Sequence, residues 1–179
     1  MSDLRLEATY PHPPERVWQA ITDPRALEAW LMPNDFQSVV GHRFTFRTDP
    51  APGFDGIVNC EVLRVEPPKL LSYTWKGGPL DTVVTFALQP TVEGTRLIFH
   101  QTGFAGVQAN IVRLILSNGW RSMSRDKLPA VLEQLERGGL EAIDIDAVAS
   151  HKTHQKSGIA RAVERIGARF GELIGRTTS

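Results

Sequence analysis

Hydrophobic positions recur every second residue through the first hundred residues and at helical spacing after that. Leu4, Leu6, Ala8 and Tyr10 alternate with Arg5, Glu7 and Thr9, the period of a half-buried strand. Pro14, Val17, Trp18 and Ile21 then follow at i, i+3, i+4 and i+7, predicting a short helix with Pro14 at its first position. Asp23-Pro24 ends that helix and starts another, with Asp23 as cap and Ala26, Leu27 and Trp30 on its buried side. Residues 31–41, with Pro33, Asn34, Asp35 and Gly41, predict a loop that carries Trp30 and Phe36 inward.

Alternation returns in Phe44 and Phe46, in Val58, Cys60 and Val62, in Leu71, Tyr73 and Trp75, in Val84, Phe86 and Leu88, and in Leu97, Phe99 and Gln101. Leu63 and Val65 fall on the wrong parity for their strand, which predicts a bulge near Val62. Tight turns at residues 49–53, 67–69, 77–79 and 92–94 join successive strands, so the expected sheet is an antiparallel meander. From Ile111 to Leu135 the apolar spacing is helical. Asn118-Gly119 and Pro129 interrupt it, so a bent helix or two helices are expected. A sheet with one apolar face needs a cover, and this segment is the only long one available. The class is therefore α+β.

One position breaks the apolar pattern. Gln101 shares the inward face with Leu97 and Phe99, and an inward amide must find a partner in protein, water or ligand. It is the first sign of a cavity. If the strand parities hold, that cavity is lined by Trp30, Phe36, Phe46, Cys60, Trp75, Phe86, Phe99, Gln101, Trp120 and Met123, an aromatic set suited to an apolar or aromatic ligand.

The strings PPERVWQAITDPRALEAW, GHRFTF, EVLRVEPPKLLSYTW, TVVTFALQP and EGTRLIFHQTGF, followed by Gly119-Trp120 and a leucine-rich helix, occur in this order from Leu4 to Glu136. In this the chain resembles bacterial proteins similar to the C-terminal domain of the activator of the Hsp90 ATPase, within the START-like (SRPBCC) superfamily. The resemblance implies a helix-grip fold, START-like or Bet v 1-like: a curved antiparallel sheet wrapped around a long C-terminal helix, with a cavity between. The superfamily includes lipid carriers, cyclases, hormone receptors and resistance proteins, so fold alone does not assign an activity. Nothing in the chain matches the eukaryotic activator's N-terminal domain. The spacer between Gly103-Phe104 and Gly119-Trp120 is longer than the resemblance implies, and about forty residues follow the expected end of the domain.

Charge and composition narrow the choice. The 179 residues carry 20 basic and 20 acidic side chains, which gives no global attraction to nucleic acid or anionic membrane. No apolar run reaches the roughly 18 residues of a membrane span, and the start MSDLRLEATY lacks the apolar core of a signal peptide, so a cytoplasmic protein is expected. Cys60, the single cysteine, has no base beside it and reads as a buried, inert thiol. His100 falls on the outer face and His42 in a loop. His151 and His154 are the one close histidine pair and lack a third ligand nearby, so neither metal nor cofactor is expected. No phosphate-binding, dinucleotide or hydrolase motif is present.

The expected organisation is a helix-grip domain over residues 1–138, a linker over 139–157 and an amphipathic helix over 158–176. In the last, Ile159, Val163, Ile166, Phe170 and Leu173 are spaced 4, 3, 4 and 3, beside glycines at 167, 171 and 175. This tail is expected to dock on its own domain or to mediate a homo-oligomer. The leading expectation for the whole is a binding protein for a hydrophobic small molecule. An enzyme of the cyclase or hydrolase kind, and a stress-related protein-interaction module, are the alternatives.

Overall fold

The computed structural model describes residues 3–50 and 54–150. Six strands form one antiparallel sheet: β1 (Leu4–Tyr10), β2 (Arg43–Arg47), β3 (Ile57–Glu66), β4 (Leu70–Gly77), β5 (Leu80–Thr91) and β6 (Gly94–Thr102). Their order across the sheet is β1-β6-β5-β4-β3-β2. Strands β2 to β6 are the expected meander, and the chain closes it by laying β1 against β6, with Leu6 opposite Phe99 and Ala8 opposite Leu97. The expected bulge lies in β3, where the register against β4 shifts between Val62 and Arg64 and leaves Leu63 exposed.

Helices α1 (Pro14–Thr22) and α2 (Pro24–Trp30) sit between β1 and β2 in the chain. Asp23 caps α2 as its residue type predicts, accepting from the backbone N–H groups of Arg25 and Ala26. In α1 the buried face is Val17, Ala20 and Ile21, while Trp18 is half-buried. The alternating residues named above, from Phe44 to Phe99, are all buried, and Trp30 and Phe36 go inward as expected.

The covering helix begins earlier than its apolar spacing indicates. Helix α3 runs Gly106–Ser122 without interruption at Asn118-Gly119. Gly119 is buried there on the inner face of the helix. The irregularity comes next, as a π-helical turn over Met123–Lys127, followed by α4 (Leu128–Gly138). Pro129 supplies the reason. In an unbroken α-helix its ring meets the carbonyl four residues back and its missing N–H leaves an acceptor bare. The wider turn pairs the Leu128 N–H with the Met123 carbonyl, five residues back. The corresponding acceptor for position 129 is the Ser124 carbonyl, and the Tyr10 hydroxyl from β1 donates to it instead at 2.7 Å. A proline in the helix thus becomes a tie to the edge strand.

Residues 139–150, expected as linker, pack against the domain. A 3-10 turn (Gly139–Ala142) and α5 (Ile145–Ser150) follow α4, with Ile143 and Val148 buried and α5 lying on α2. Asp144 accepts from the Ala147 N–H at the start of α5, and Arg25 of α2 donates to the Ile143 carbonyl. These apolar anchors stand apart from the regular helical spacing upstream. The pair His151 and His154, and the stripe over 158–176, lie outside the described residues.

Candidate functional site

Trp120, on the last turn of α3, is the hub of the interior. Its ring lies 4.3 Å from Phe99, 5.5 Å from Trp75, and 6.3 Å from both Trp30 and Phe86, centroid to centroid. Each of these rings comes from a different element because alternation on β4, β5 and β6 places Trp75, Phe86 and Phe99 on one sheet face. Phe46 joins through Trp75 at 5.3 Å, and Phe36 joins through Phe44 and Tyr73. The sequence-predicted aromatic set therefore forms one connected cluster, with Met123 fully buried in the same core. Phe44 and Tyr73 belong to it as well, and their inward parity had marked both as core.

Gln101 is fully buried beneath Trp120. The Trp120 Nε1–H donates to Gln101 Oε1 at 3.2 Å, Gln101 Nε2–H donates to Thr82 Oγ1 at 2.9 Å, and the Thr82 hydroxyl donates to the Trp75 carbonyl at 2.9 Å. Each polar side-chain atom in this relay has a partner, so a hydrogen-bonded chain runs from helix to sheet through an apolar core. The amide that signalled a cavity is occupied by protein groups. Trp30 is fixed in the same manner, its Nε1–H donating to the Ala20 carbonyl at 2.8 Å.

Aromatic side chains nearly fill the space between sheet and helix. What remains beside Trp120 is a cavity of about 20 Å³, lined by Trp30, Phe86, Phe99, Leu97, Leu128 and, at its rim, Leu6, Ala8 and Ser124. A cavity this size has room for about one water molecule. Of the predicted lining, Trp30, Phe86, Phe99 and Trp120 border it; Phe36, Phe46, Cys60, Trp75, Gln101 and Met123 do not. Leu6, Glu7, Ala8 and Ser124 also line a groove of about 530 Å³ between β1 and the π-helical turn, walled further by Thr9, Tyr10 and Pro11 on one side and Arg121, Arg125 and Pro129 on the other. The gap has a local cause. Ala8 and Ser124 are small, β1 is an edge strand with no neighbour beyond it, and the π-helical turn widens the helix at this level. Sequence reading placed Leu6 and Ala8 on the inward face but had no signal for the π-helical turn beyond Pro129.

The titratable groups nearby are not poised for acid–base chemistry. Glu7 at the rim bonds Arg96 and Arg5, whose guanidiniums hold its carboxyl below the usual range. Burial, with the Asp35 charge adding to it, pushes the Cys60 thiol far up, as expected of an inert core cysteine. Burial likewise pushes up Tyr10 and Tyr73, and the Tyr73 hydroxyl has no hydrogen-bond partner among the described residues. His100 is on the outer face near Asp3, and His42 donates to the Asp35 carbonyl in its loop. Among the described residues no group of three or more His, Cys, Asp and Glu could hold a metal ion, and no helix is long and apolar enough to cross a membrane.

A curved six-stranded antiparallel sheet closed over a long helix, with an aromatic interior, defines a helix-grip protein. Residues 11–133 match the profile of the activator of Hsp90 ATPase homolog 1-like proteins, and the chain belongs to that family. It is 40% identical to protein MLL2253 from Mesorhizobium loti, whose crystal structure it matches over 74% of this chain and 97% of that one with a TM-score of 0.68. Similarity to protein BH1534 from Bacillus halodurans is 26% over 74% of this chain and 97% of that one, with a TM-score of 0.63. The Aha1 dimer from Colwellia psychrerythraea shares the fold, at 18% identity, 73% and 96% coverage and a TM-score of 0.62. No curated protein is detectably similar.

Proposed function

We propose that the protein binds a hydrophobic or aromatic small molecule, which enters by the groove between β1 and the π-helical turn and inserts its apolar part beside Trp120. The observation that carries this reading is that an apolar cavity under Trp30, Phe99 and Trp120 shares Leu6, Ala8 and Ser124 with a mainly apolar groove between the sheet edge and the helix. The groove accommodates the body of a ligand, and Arg121 and Arg125 at its outer wall meet a polar or anionic end. Because the inner cavity has room for no more than about one water, insertion requires Trp120 or Leu128 to shift. The side chains best placed to touch ligand are Leu6, Ala8, Trp30, Phe86, Phe99, Trp120 and Ser124. Gln101 acts behind them by holding the Trp120 indole.

No catalytic step is assigned, since the acids and bases near the cavity are paired away or buried in their neutral forms. The cyclase or hydrolase alternative requires an ionisable group facing the cavity with its pKa drawn toward neutrality.

The test is a titration with 8-anilinonaphthalene-1-sulfonate, an aromatic anion, followed by tryptophan emission. Saturable one-to-one binding that quenches the core tryptophans is expected, and Ala8→Phe, which fills the mouth from an edge strand, is expected to weaken it at least tenfold while the far-UV spectrum stays unchanged. Equal binding by Ala8→Phe would place the probe elsewhere and remove the basis for the site.

A further inference from the structure

Helix α3 turns three large aliphatic side chains to solvent. Val107, Ile111 and Leu114 are 78%, 41% and 59% exposed, and their spacing of four and three sets them in a row on one face, opposite buried Ala109, Val112 and Leu116. Singly exposed aliphatic residues are ordinary; a contiguous row on one helix marks a surface meant to be covered. The same chain carries a second apolar row of the same spacing, Ile159, Val163, Ile166, Phe170 and Leu173, in residues whose glycines at 167, 171 and 175 each cost an isolated helix about 1 kcal/mol. Such a segment needs a partner surface to be helical.

We propose that residues 158–176 form a helix that docks in the same molecule on the outer face of α3, laying Ile159, Val163, Ile166, Phe170 and Leu173 against Val107, Ile111 and Leu114. Rows of matching pitch on two helices interdigitate at shallow crossing angles. The last described helix, α5, ends at Ser150 and packs on α2. The seven residues 151–157 between it and the tail stripe can span up to about 24 Å. Coverage of the homologous fold supports an added cover. The family match ends at residue 133, and the Mesorhizobium relative is spanned almost whole by 74% of this chain. That relative also shows that the domain folds without a counterpart to the tail. Because α3 carries Trp120, docking stiffens one wall of the small-molecule site and links the tail to it.

The experiment compares hydrogen exchange in the full chain and in a chain ending at Ser150. Amides over 106–118 are expected to exchange at least tenfold faster in the shorter chain, with β3 to β6 unchanged. Leu114→Asp in the full chain, a change at an exposed position, should reproduce that loss, and adding it to the shorter chain should change nothing further. Sedimentation should give a monomer for both. Equal exchange of α3 in the two chains overturns the proposal, as does a loss that appears only on adding anionic phosphatidylglycerol vesicles. Protection that vanishes on dilution together with a dimer assigns the stripe to a second copy and overturns docking within one molecule.

Discussion

Trp120→Ala is expected to lower unfolding free energy by about 4 kcal/mol, the loss typical of removing a buried large aromatic side chain. The residue sits where four rings from α2, β4, β5 and β6 converge. Domains are stable by only about 5–15 kcal/mol, so this one change takes a large share. Urea unfolding checks it. Trp120→Phe should cost clearly less, because the phenyl keeps part of the ring contacts with Phe99 and Trp75 while giving up the second ring of the indole and its N–H. A cost for Trp120→Ala near that of an exposed residue would mean that the ring does not organise the core.

The second large effect concerns the amide behind that ring. Gln101→Leu is expected to destabilise by about 2 kcal/mol, since the Trp120 Nε1–H is left in an apolar core without an acceptor. The pairing makes a sharper statement possible. In Trp120→Phe the carbonyl of Gln101 is the orphan, but when both changes are made neither orphan remains, so the double variant should be more stable than the sum of the single effects by about 1–2 kcal/mol. Strict additivity would show that the relay from Trp120 through Gln101 to Thr82 and the Trp75 carbonyl contributes nothing as a unit.

The sheet was legible because its strands bury one face and expose the other, so parity alone placed Tyr73, Trp75, Phe86 and Phe99 inward, and the off-parity Leu63 marked the bulge. The inward Gln101 was legible as an amide in need of a partner. Its partner was not, because Thr82 and Trp120 come from other elements and only the register of β5 against β6 and the depth of α3 bring them within reach. The same limit applies to the cavity. Aromatic residues on inward positions are equally consistent with a lined pocket and with a filled core. Here they mostly fill it, and the remaining space is set by what is small, Ala8 and Ser124, rather than by what is aromatic. The π-helical turn was hidden for a related reason. Pro129 announced an interruption, but whether the chain answers with a kink, a break or a wider turn depends on an external donor, and the Tyr10 hydroxyl is supplied from more than a hundred residues away. Residues 139–150 escaped notice as packed structure because Ile143 and Val148 anchor them individually, outside any long periodic run.

The central claim is that an apolar molecule occupies the space beside Trp120 through the mouth at Ala8. Native mass spectrometry of the protein purified without detergent from its own host, run beside the Ala8→Phe variant, tests it most directly. One organic molecule per chain, released on denaturation and absent from the variant, is the predicted result. An equal load on both proteins, or an empty wild-type protein that also fails to take up the aromatic probe, would contradict it.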